Sequence, residues 1–519
     1  MQRYNILWAD DEIDLLKPHI LFLEQRGYDI TPVNNGTDAV ELTSKKHYDI
    51  VFLDEHMPGM SGIEALSQIK NIKPHLPIVM ITKNEEEQIM EDAIGSKIDD
   101  YLIKPVNPSQ ILLSVKKILD NKRLVHEKTN FSYQQEFRNI GMAFLDDLNH
   151  EKWVDIYKKL VFWELEMEAA DNQEMGEVLE SQKAEANSNF CRFIKRNYES
   201  WLNDPNVEKP LLSHQIMKKK IFPEVNQQRP CFLFIIDNLR FDQWKAIEPV
   251  LNEIFTIEKE ETYYSLLPTT TAYSRNAIFS GMSSLEMSKI HPDIWVGEDE
   301  DDSKNKFEEE FLQRLIRRNN LKTKLSYNKV RNFGEGKNLV DSVHNLFINE
   351  LNVIVYNFVD MLSHARTDMA MIKELAPDEA AYRSITKSWF IHSPLFDVMK
   401  IIAEKKARII ITTDHGTIRV KRPMKIIGDR NVNTNLRYKQ GKNLNYEAGK
   451  VIETTKPERF LLPKTNVTTS YVFATEDQFF AYPNNYNYYV NFYKDTFQHG
   501  GVSMEEMIIP LIFLNSKNA

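Results

Sequence analysis

Short apolar runs alternate with amphipathic stretches over roughly the first 120 residues of the chain. The apolar runs are YNILWA, YDIVFLD, PIVMIT and DDYLIKP, and stretches such as DLLKPHILFLEQRG between them have the spacing of amphipathic helices. This alternation is typical of a parallel sheet wound with helices. The pattern therefore predicts a doubly wound α/β domain over residues 1–120.

The spacing of apolar positions becomes helical in the next part of the chain, residues 121–204. The apolar stripes are Phe137, Ile140, Gly141, Phe144, Leu145 and Leu148, and then Trp153, Ile156, Tyr157, Leu160 and Val161. No proline occurs between Pro108 and Pro205, which suits long helices. We expect a small helical bundle that links two α/β domains. Some of its aromatic residues could instead contact a partner subunit.

Three apolar runs in the last part of the chain end in an aspartate. They are CFLFIID at Asp237, NVIVYNFVD at Asp360 and ARIIITTD at Asp414. Continuous apolar runs of this length are typical of strands that are buried on both faces of a parallel sheet. The pattern predicts a second α/β domain over residues 205–519. A chain of 519 residues is also too long for one ordinary core.

Composition narrows the classes of function. The formal net charge of −10 disfavours broad binding to nucleic acid, so we expect no duplex DNA partner. No apolar run is long enough to span a bilayer, so we expect no membrane insertion. The opening MQRYNILWADDE does not resemble a signal peptide, and the two cysteines, Cys191 and Cys231, cannot form a disulfide framework. We therefore expect a cytoplasmic protein.

One basic stretch departs from this acidic balance. Between Thr417 and Lys442 there are eight lysines or arginines and one acid, Asp429. Most charge runs of this kind are solvated loops. The stretch directly follows Asp414 and His415, however, so a rim that attracts small anions is an equally good interpretation.

Polar side chains follow several strands of the predicted first sheet. Asp10 and Asp11 follow the first strand, Asp54 ends YDIVFLD, Thr82 ends PIVMIT, and Lys104 precedes a proline. Each alone has an ordinary interpretation as a helix cap, a turn residue or a surface residue. The carboxyl ends of parallel strands converge on one crevice, and three carboxylates there suit Mg²⁺. We expect the lysine and threonine to hold a phosphoryl group added to Asp54.

These residues lie in the motifs ADDE, FLDEHMPGMSG, MIT and KP, which resemble the response-regulator receiver family. The resemblance implies a flavodoxin-like fold, a phosphoryl-accepting Asp54 and a sensor histidine kinase as partner. The residues that it implies for Mg²⁺ are Asp10, Asp11, Asp54 and His56, and those for the conformational switch are Thr82, Tyr101 and Lys104. One departure is Lys83, where the family usually has a small residue.

The segment ITTDHG, residues 411–416, places an acid beside an imidazole at the end of a predicted strand. The pair alone fits a strand cap, half of a catalytic dyad or two ligands of one metal. Two of the three strand-end aspartates have a histidine close behind, at His364 and His415, and FQHGG supplies His499. Aspartate and histidine ligands together suit two divalent ions, with zinc favoured over magnesium.

A nucleophile for such a site lies in the segment PTTTAYSRNAIFSG, residues 268–281. Its threonine-rich turn leads into a helix predicted to begin near Ala272, and a helix N-terminus favours an anion. The candidates to steady the phosphoryl oxygens are Asn238, Arg275 and Asn276, on proximity alone.

Asp237, PTTT, DMLSH, TTDHG and FQHGG together resemble the PglZ branch of the alkaline-phosphatase superfamily. The resemblance implies Thr271 as the nucleophile of a zinc-dependent phosphodiesterase. It implies one zinc held by Asp237, Thr271, Asp414 and His415, and a second held by Asp360, His364 and His499.

Receiver, helical linker and PglZ-like domain in this order resemble the PorX-type response regulators of type IX secretion in Bacteroidetes. The resemblance implies regulation of secretion and a possible sigma-factor partner. We also expect phosphorylation of Asp54 to drive homodimerisation through the receiver. We expect nucleotides or small oligonucleotides as substrates. The alternative is a non-catalytic signalling protein that keeps its zinc and binds a protein partner.

Overall fold

The computed structural model describes most of the chain, in two compact units, Met1–Gln135 and Glu136–Ala519, which we treat separately. The described residues are 4–74, 76–83, 98–170, 172–226, 229–297, 303–368, 374–405, 407–428, 432–447 and 449–517; the side chains of 120–130, 173 and 364–368 lie outside them. The predicted domain bounds near residues 120 and 204 stay predictions.

The first unit has a parallel five-stranded sheet with strand order β2-β1-β3-β4-β5. Its strands are β1 Tyr4–Ala9, β2 Tyr28–Val33, β3 Ile50–Asp54, β4 Ile78–Thr82 and β5 Asp100–Ile103, and its helices are α1 Lys17–Glu24, α2 Gly36–Lys45 and α3 Gly62–Ile72. This sheet confirms the predicted doubly wound fold.

Alternation along the central strands explains why both faces of this sheet are covered. Leu7 and Ala9 of β1 enter one hydrophobic core, and Ile6 and Trp8 enter a second core on the opposite face. Strands β3 and β4 are buried at every position, as their continuous apolar runs predict. The polar residues at the carboxyl ends of these central strands therefore lie at one edge of a fully packed sheet.

Three long helices follow, namely α4 Pro108–Ala143, α5 His150–Ala169 and α6 Gln173–Asn203. All five residues of the predicted stripe from Trp153 to Val161 are buried. The stripe before it is only partly correct. Helix α4 ends at Ala143, so the chain turns there and Leu145 is 87% exposed.

The second unit is built on a six-stranded sheet with strand order β7-β19-β10-β6-β9-β8. Strands β10, β6, β9 and β8 are parallel, whereas β19 is antiparallel to both β10 and β7. The six strands are β6 Cys231–Ile236, β7 Phe255–Tyr264, β8 Leu325–Val330, β9 Leu351–Tyr356, β10 Arg408–Thr412 and β19 Ile508–Ser516.

Smaller sheets and further helices surround this sheet. The remaining strands are β11 Ile418–Arg419, β12 Arg422–Ile427, β13 Tyr438–Gly441, β14 Asn445–Tyr446, β15 Val451–Thr454, β16 Ser470–Ala474, β17 Gln478–Ala481 and β18 Phe497–Gln498. The helices are α7 Phe241–Leu251, α8 Asn276–Ser280, α9 Ser284–Ile290, α10 Glu308–Arg318, α11 Phe333–Ser342, α12 Phe358–Asp368, α13 Glu379–Ile391, α14 Pro394–Ala403, α15 Tyr486–Tyr493 and α16 Met504–Met507. A π-helical turn, Thr271–Arg275, precedes α8.

The structure corrects one detail of the strand prediction. Strand β9 ends at Tyr356, and Asp360 lies in the first turn of α12 instead of at a strand end. The apolar run NVIVYNFVD crosses from strand into helix, and a short apolar run does not reveal that change of period. Among the described residues, no helix is both long enough and apolar enough to cross a membrane.

Candidate functional site

Three carboxylates meet at the carboxyl edge of the first sheet. Asp10 follows β1 and is fully buried, Asp54 ends β3 and is 4% exposed, and Asp11 is exposed. One oxygen from each lies within 4.8 Å of the others. This cluster of hard oxygen ligands, open on one side through Asp11, suits Mg²⁺.

Lys104 joins this cluster from the end of β5. Its Nζ lies 2.9 Å from Asp10 Oδ2 and 2.8 Å from Asp54 Oδ1. Burial raises the pKa of Asp54 although the ammonium opposes the rise, and the hydrogen bonds to both carboxylates raise the pKa of Lys104 against its own burial. One ammonium faces three carboxylates, so negative charge remains for a divalent cation.

The predicted switch residues differ in their surroundings. Thr82 is buried at the end of β4 and donates its hydroxyl hydrogen to Glu55, whereas Tyr101 is 43% exposed. The His56 side chain is 68% exposed, and its Nδ1 lies 3.7 Å from Glu55. Among the described residues, the cluster of possible metal ligands consists of Asp10, Asp11 and Asp54, and the imidazole of His56 is not part of it.

Two residues of this site escaped the sequence analysis. Glu55 accepts the hydrogen bond from Thr82, and Gly62 approaches Asp54 so closely that an added Cβ would lie 2.1 Å from the carbonyl oxygen of Asp54. Gly62 is the second glycine of GMSG, and a glycine in such a motif could have indicated this close backbone approach.

In the second unit, three predicted ligands meet at the carboxyl edge of the large sheet. Asp237 follows β6, while Asp414 and His415 follow the neighbouring parallel strand β10. One donor atom from each lies within 4.8 Å of the others, and none of the three is more than 1% exposed. The sheet itself thus brings together residues that are far apart in the chain.

Thr271 contacts two of these residues from the π-helical turn. Its Oγ1 lies 3.3 Å from Asp237 Oδ1 and 3.1 Å from His415 Nε2. The Nδ1 of His415 lies 3.1 Å from the carbonyl oxygen of Gly416, which can only accept a hydrogen bond. Burial lowers the pKa of His415, so the neutral ring carries its hydrogen on Nδ1 and directs the Nε2 lone pair at Thr271.

The carboxylate of Asp414 offers a direct test of whether a cation fits here. Its Oδ1 accepts from the His415 backbone nitrogen at 3.1 Å and from Thr413 Oγ1 at 3.2 Å. Its Oδ2 is buried and accepts no hydrogen bond within the described part of the chain. Burial raises the pKa of Asp237 to about 6 and also raises the pKa of Asp414. Two buried carboxylates and one imidazole therefore fit zinc.

The second predicted ligand group lies beside the first. The ring of His499 stacks on that of His415 with centroids 4.3 Å apart, and its Nε2 lies 3.7 Å from Asp360 Oδ1. The Nδ1 of His499 is 3.3 Å from the carbonyl oxygen of Thr269. His364 belongs to α12, but its side chain lies outside the described residues.

A buried arginine, Arg275, holds Asp237 in place. Its Nη1 donates to Asp237 Oδ2 at 2.6 Å, its Nε donates to Glu308 Oε1 at 2.5 Å, and it lies 3.7 Å from Asp414. These acids raise the pKa of Arg275 despite its burial. The sequence did not reveal Glu308, because no strand-end pattern or motif marks it.

The other two candidates for the phosphoryl oxygens are also engaged. Asn276 Nδ2 donates to the carbonyl oxygens of Ala272 at 2.8 Å and Lys304 at 2.9 Å. Asn238 Nδ2 lies 3.1 Å from Ser363 Oγ. In this arrangement the amides of Asn238 and Asn276 support the walls of the site.

The basic stretch after His415 is mostly paired within the protein. Arg437 is fully buried against Glu506 with an Nη2–Oε2 distance of 2.6 Å, and Lys421 contacts Glu180. Lys439 is 1% exposed, and burial lowers its pKa to about 7. Asp429 and Arg430 lie outside the described residues. This pairing weakens the interpretation of the stretch as an open basic rim that attracts small anions.

Comparison with known families divides the chain into three parts. Residues 6–116 match the response regulator receiver domain, residues 123–202 match the PorX response regulator linker domain, and residues 216–514 match the BREX system PglZ alkaline phosphatase-like domain. The third match alone covers more than half of the chain.

Curated relatives and solved structures match the receiver part. The chain is 36% identical over 147 residues to the transcriptional regulatory protein ResD of Bacillus subtilis (28% of this chain, 60% of that protein) and 33% identical over 115 residues to SrrA of Staphylococcus aureus strain COL (22% and 47%). It thus spans three-fifths or less of these two relatives.

Among solved structures, a two-component response regulator from Clostridium difficile is 32% identical, with a TM-score of 0.22 and coverage of 23% of this chain and 97% of that one. A CheY-like receiver domain from Methanospirillum hungatei is 24% identical, with a TM-score of 0.22 and coverage of 23% and 96%. Since the PglZ match alone covers more than half of the chain, and the receiver and PorX linker matches precede it in order, the chain belongs to the PorX-type response regulators with a PglZ alkaline phosphatase-like domain.

Proposed function

We propose that the chain is a two-component response regulator in which phosphorylation of Asp54 controls a zinc-dependent phosphodiesterase. Its receiver domain implies a cognate histidine kinase, and its PglZ domain indicates a hydrolase of the alkaline-phosphatase superfamily. Nucleotides or small oligonucleotides are the proposed substrates, and control of type IX secretion is the proposed role. Homodimerisation and contact with a sigma factor belong to the same proposal.

One observation carries the proposed catalysis. The Thr271 hydroxyl lies between Asp237 and His415, at 3.3 and 3.1 Å. His415 Nε2 lies 3.8 Å from the buried Oδ2 of Asp414, which accepts no hydrogen bond among the described residues. A hydroxyl among metal-type donors at the start of a helical turn is the arrangement that an activated nucleophile needs. Asp237, Thr271, Asp414 and His415 would hold one zinc; Asp360, His364 and His499 would hold the other.

The chain's own residues define the proposed reaction. Thr271 Oγ1 attacks the phosphorus of a diester and one P–O ester bond breaks. The first alcohol departs with the proton of the Thr271 hydroxyl, and the phosphoryl group stays esterified to Thr271 and to the second alcohol. Water then attacks the same phosphorus, which releases a monoester and regenerates the hydroxyl. When zinc is bound by these donors, it lowers the pKa of the Thr271 hydroxyl and supplies positive charge to the phosphoryl oxygens. Arg275 keeps Asp237 oriented during both steps.

The receiver supplies the proposed control. Asp54 lies within ion-pair distance of Lys104, and Asp10 and Asp11 complete an oxygen cluster for Mg²⁺. A phosphoryl group adds roughly −1.5 to −2 charges at neutral pH. This charge gives Lys104 and the buried Thr82 a new anionic partner, which is the basis for a change of conformation.

The test compares neighbouring hydroxyls. Zinc content and turnover of bis(p-nitrophenyl) phosphate are measured for wild type, Thr271→Ala and Thr270→Val. We expect zinc near two per chain in wild type and turnover that is abolished only in Thr271→Ala. Thr270 is a matched control because its buried hydroxyl has no hydrogen-bond partner among the described residues. Wild-type zinc without turnover would favour the non-catalytic alternative.

A further inference from the structure

The linker helices carry partly buried charges that face the PglZ domain. Glu164 of α5 accepts from Arg383 Nη1 at 2.7 Å and from Lys183 Nζ at 2.6 Å. Burial alone would raise the pKa of Glu164, but the two cations lower it to about 2. Glu164 is therefore ionised at neutral pH, and removing its charge would take one carboxylate away from the buried Arg383 and from the partly buried Lys183.

The same arginine continues the pairing towards the large sheet. Arg383 Nη1 lies 3.0 Å from Asp242 Oδ2, and Asp242 accepts from Arg240 Nη2 at 2.5 Å and from Arg240 Nε at 2.9 Å. We call Glu164, Arg383, Asp242 and Arg240 the linker network. Neither arginine is more than 3% exposed. An unbroken series of alternating charges thus runs from the linker to a residue three positions after Asp237.

Arg240 lies where three segments that carry or adjoin predicted ligands come together. Its Cγ would be 3.3 Å from a Cβ added to Gly416, which directly follows His415. Its guanidinium carbon lies 5.2 Å from the ring centroid of Phe497, two residues before His499. A displacement of this one side chain would therefore disturb the turn after β6, the turn after β10 and strand β18.

A second path from the linker reaches the turn at Gly416. Asn187 of α6 donates to Glu505 Oε2 at 2.9 Å and accepts from the Met504 backbone nitrogen at 2.8 Å. The carbonyl oxygen of Glu505 lies 2.1 Å from the position of a Cβ added to Gly416. Two linker helices thus constrain the segment that carries Asp414 and His415.

We propose that Glu164 is a positioning residue for the C-terminal site, acting through Arg383 and Asp242 on Arg240. The inference rests on the proposed function and adds the route by which the linker can regulate it. Buried ion pairs are costly to separate, so a shift of α5 moves its partners instead of leaving them behind. Packed elements respond to such shifts by adopting a second arrangement rather than by continuous deformation.

The kinetic test uses Glu164→Gln, which keeps the size of the side chain and removes its charge. We expect kcat for bis(p-nitrophenyl) phosphate to fall about tenfold, at the lower end for residues that orient metal ligands. KM should change by less than about twofold, because the substrate contacts are intact. Zinc content should not change. Glu164→Asp keeps the negative charge on a shorter side chain, so its kcat should lie between those of Glu164→Gln and wild type.

The matched control is Lys158→Met in the same helix. Lys158 pairs with Glu260 of β7 at 3.2 Å, so it also joins the linker to the large sheet, but β7 carries none of the predicted site residues. We expect wild-type kcat in this variant. An equal loss in Lys158→Met and Glu164→Gln would overturn the proposal, because loosening the linker in general would then be sufficient.

Amide hydrogen exchange gives a readout that does not depend on turnover. Exchange in residues 238–244 and 415–416 should be faster in Glu164→Gln than in Lys158→Met or wild type. Unchanged exchange in a folded Glu164→Gln protein would reject the coupling. If wild type showed no diester turnover, the proposed function would fail while this measurement still decided the coupling.

A gentler variant serves if Glu164→Gln does not fold. Glu168 is 38% exposed and accepts from Arg383 Nη2 at 2.6 Å. Glu168→Gln should shift kcat and exchange in the same direction by a smaller amount. No shift in a folded Glu168→Gln protein would then count against the proposal.

Discussion

The two carboxylate sites of this chain share one origin and differ in how their charge is balanced. Both lie at the carboxyl edge of a sheet, where neighbouring parallel strands end in aspartates. In the first site Asp11 is exposed and the single ammonium of Lys104 bridges two carboxylates. In the second site every clustered donor is buried, and Arg275 is itself held by Glu308.

This difference indicates two uses of the same topology. A partly open cluster, in which one lysine bridges two carboxylates, suits the ion exchange and the phosphoryl transfer to Asp54 that we propose. A closed cluster with a fixed arginine is built to keep its ligands in one geometry, because guanidinium pairs are directional and buried charges tolerate little movement. The first site is suited to a transient signal and the second to repeated catalysis.

The largest expected effect comes from removing ligands of the closed site. His415→Ala should deplete one zinc and lower diester turnover by more than about 100-fold, beyond what residues that only support ligands contribute. His499→Ala should deplete the other zinc. The zinc content and the initial rate of diester hydrolysis are measured for both variants. Asp54→Asn, in the first site, serves as the comparison and should keep the zinc content of wild type. Full metal content in both histidine variants would contradict the ligand assignment.

The next effect concerns the metal-free protein. Burial raises the pKa of Asp237 to about 6 from its ordinary value near 3.8, so between these values the folded state binds a proton that the unfolded state does not. The free energy of unfolding should therefore rise as pH falls through this window, by about 2 kcal/mol between pH 7 and pH 4.5. Chelator-treated protein is unfolded with urea at pH 7 and pH 4.5.

The control for this pH dependence is Asp237→Asn, which carries no titrating group at that position. Its free energy of unfolding should gain less than that of wild type over the same interval, since all other carboxyl groups are common to both proteins. Equal gains would show that Asp237 does not bind a proton in the folded, metal-free state.

The smallest expected change is a doubling of mass. Beryllofluoride, a mimic of the phosphoryl group, should drive homodimerisation through the receiver in wild type and leave Asp54→Ala unchanged. Light scattering measures both proteins with and without the mimic. An unchanged wild-type mass would reject phosphorylation-driven dimerisation, whereas equal shifts in both would show that Asp54 is not the acceptor.

The sequence predicted those parts of the sites that lie on buried parallel strands. Asp54, Asp237 and Asp414 each end a continuous apolar run. Such a run can be recognised in the sequence without knowing which strands pair with it. Asp360 was placed at a strand end because its run continues from β9 into α12 without a break in hydrophobicity.

The supporting contacts could not be predicted from the sequence for a different reason. Arg275 and Glu308 are 33 positions apart, and Glu164 and Arg383 are 219 apart. A buried ion pair leaves no periodic pattern, because each partner looks like an ordinary surface charge on its own helix. Only the packing of the helices against the sheet identifies the pairs.

The position of β19 has a consequence for biosynthesis. This strand is the last in the chain among those described, yet it lies inside the sheet, between the edge strand β7 and β10. During translation β7 and β10 emerge first and lack the strand that joins them, so residues 508–516 must arrive before the sheet can close. The large sheet can therefore be completed only after residues 508–516 have been synthesised, with the long-range pairing of β19 as a slow step.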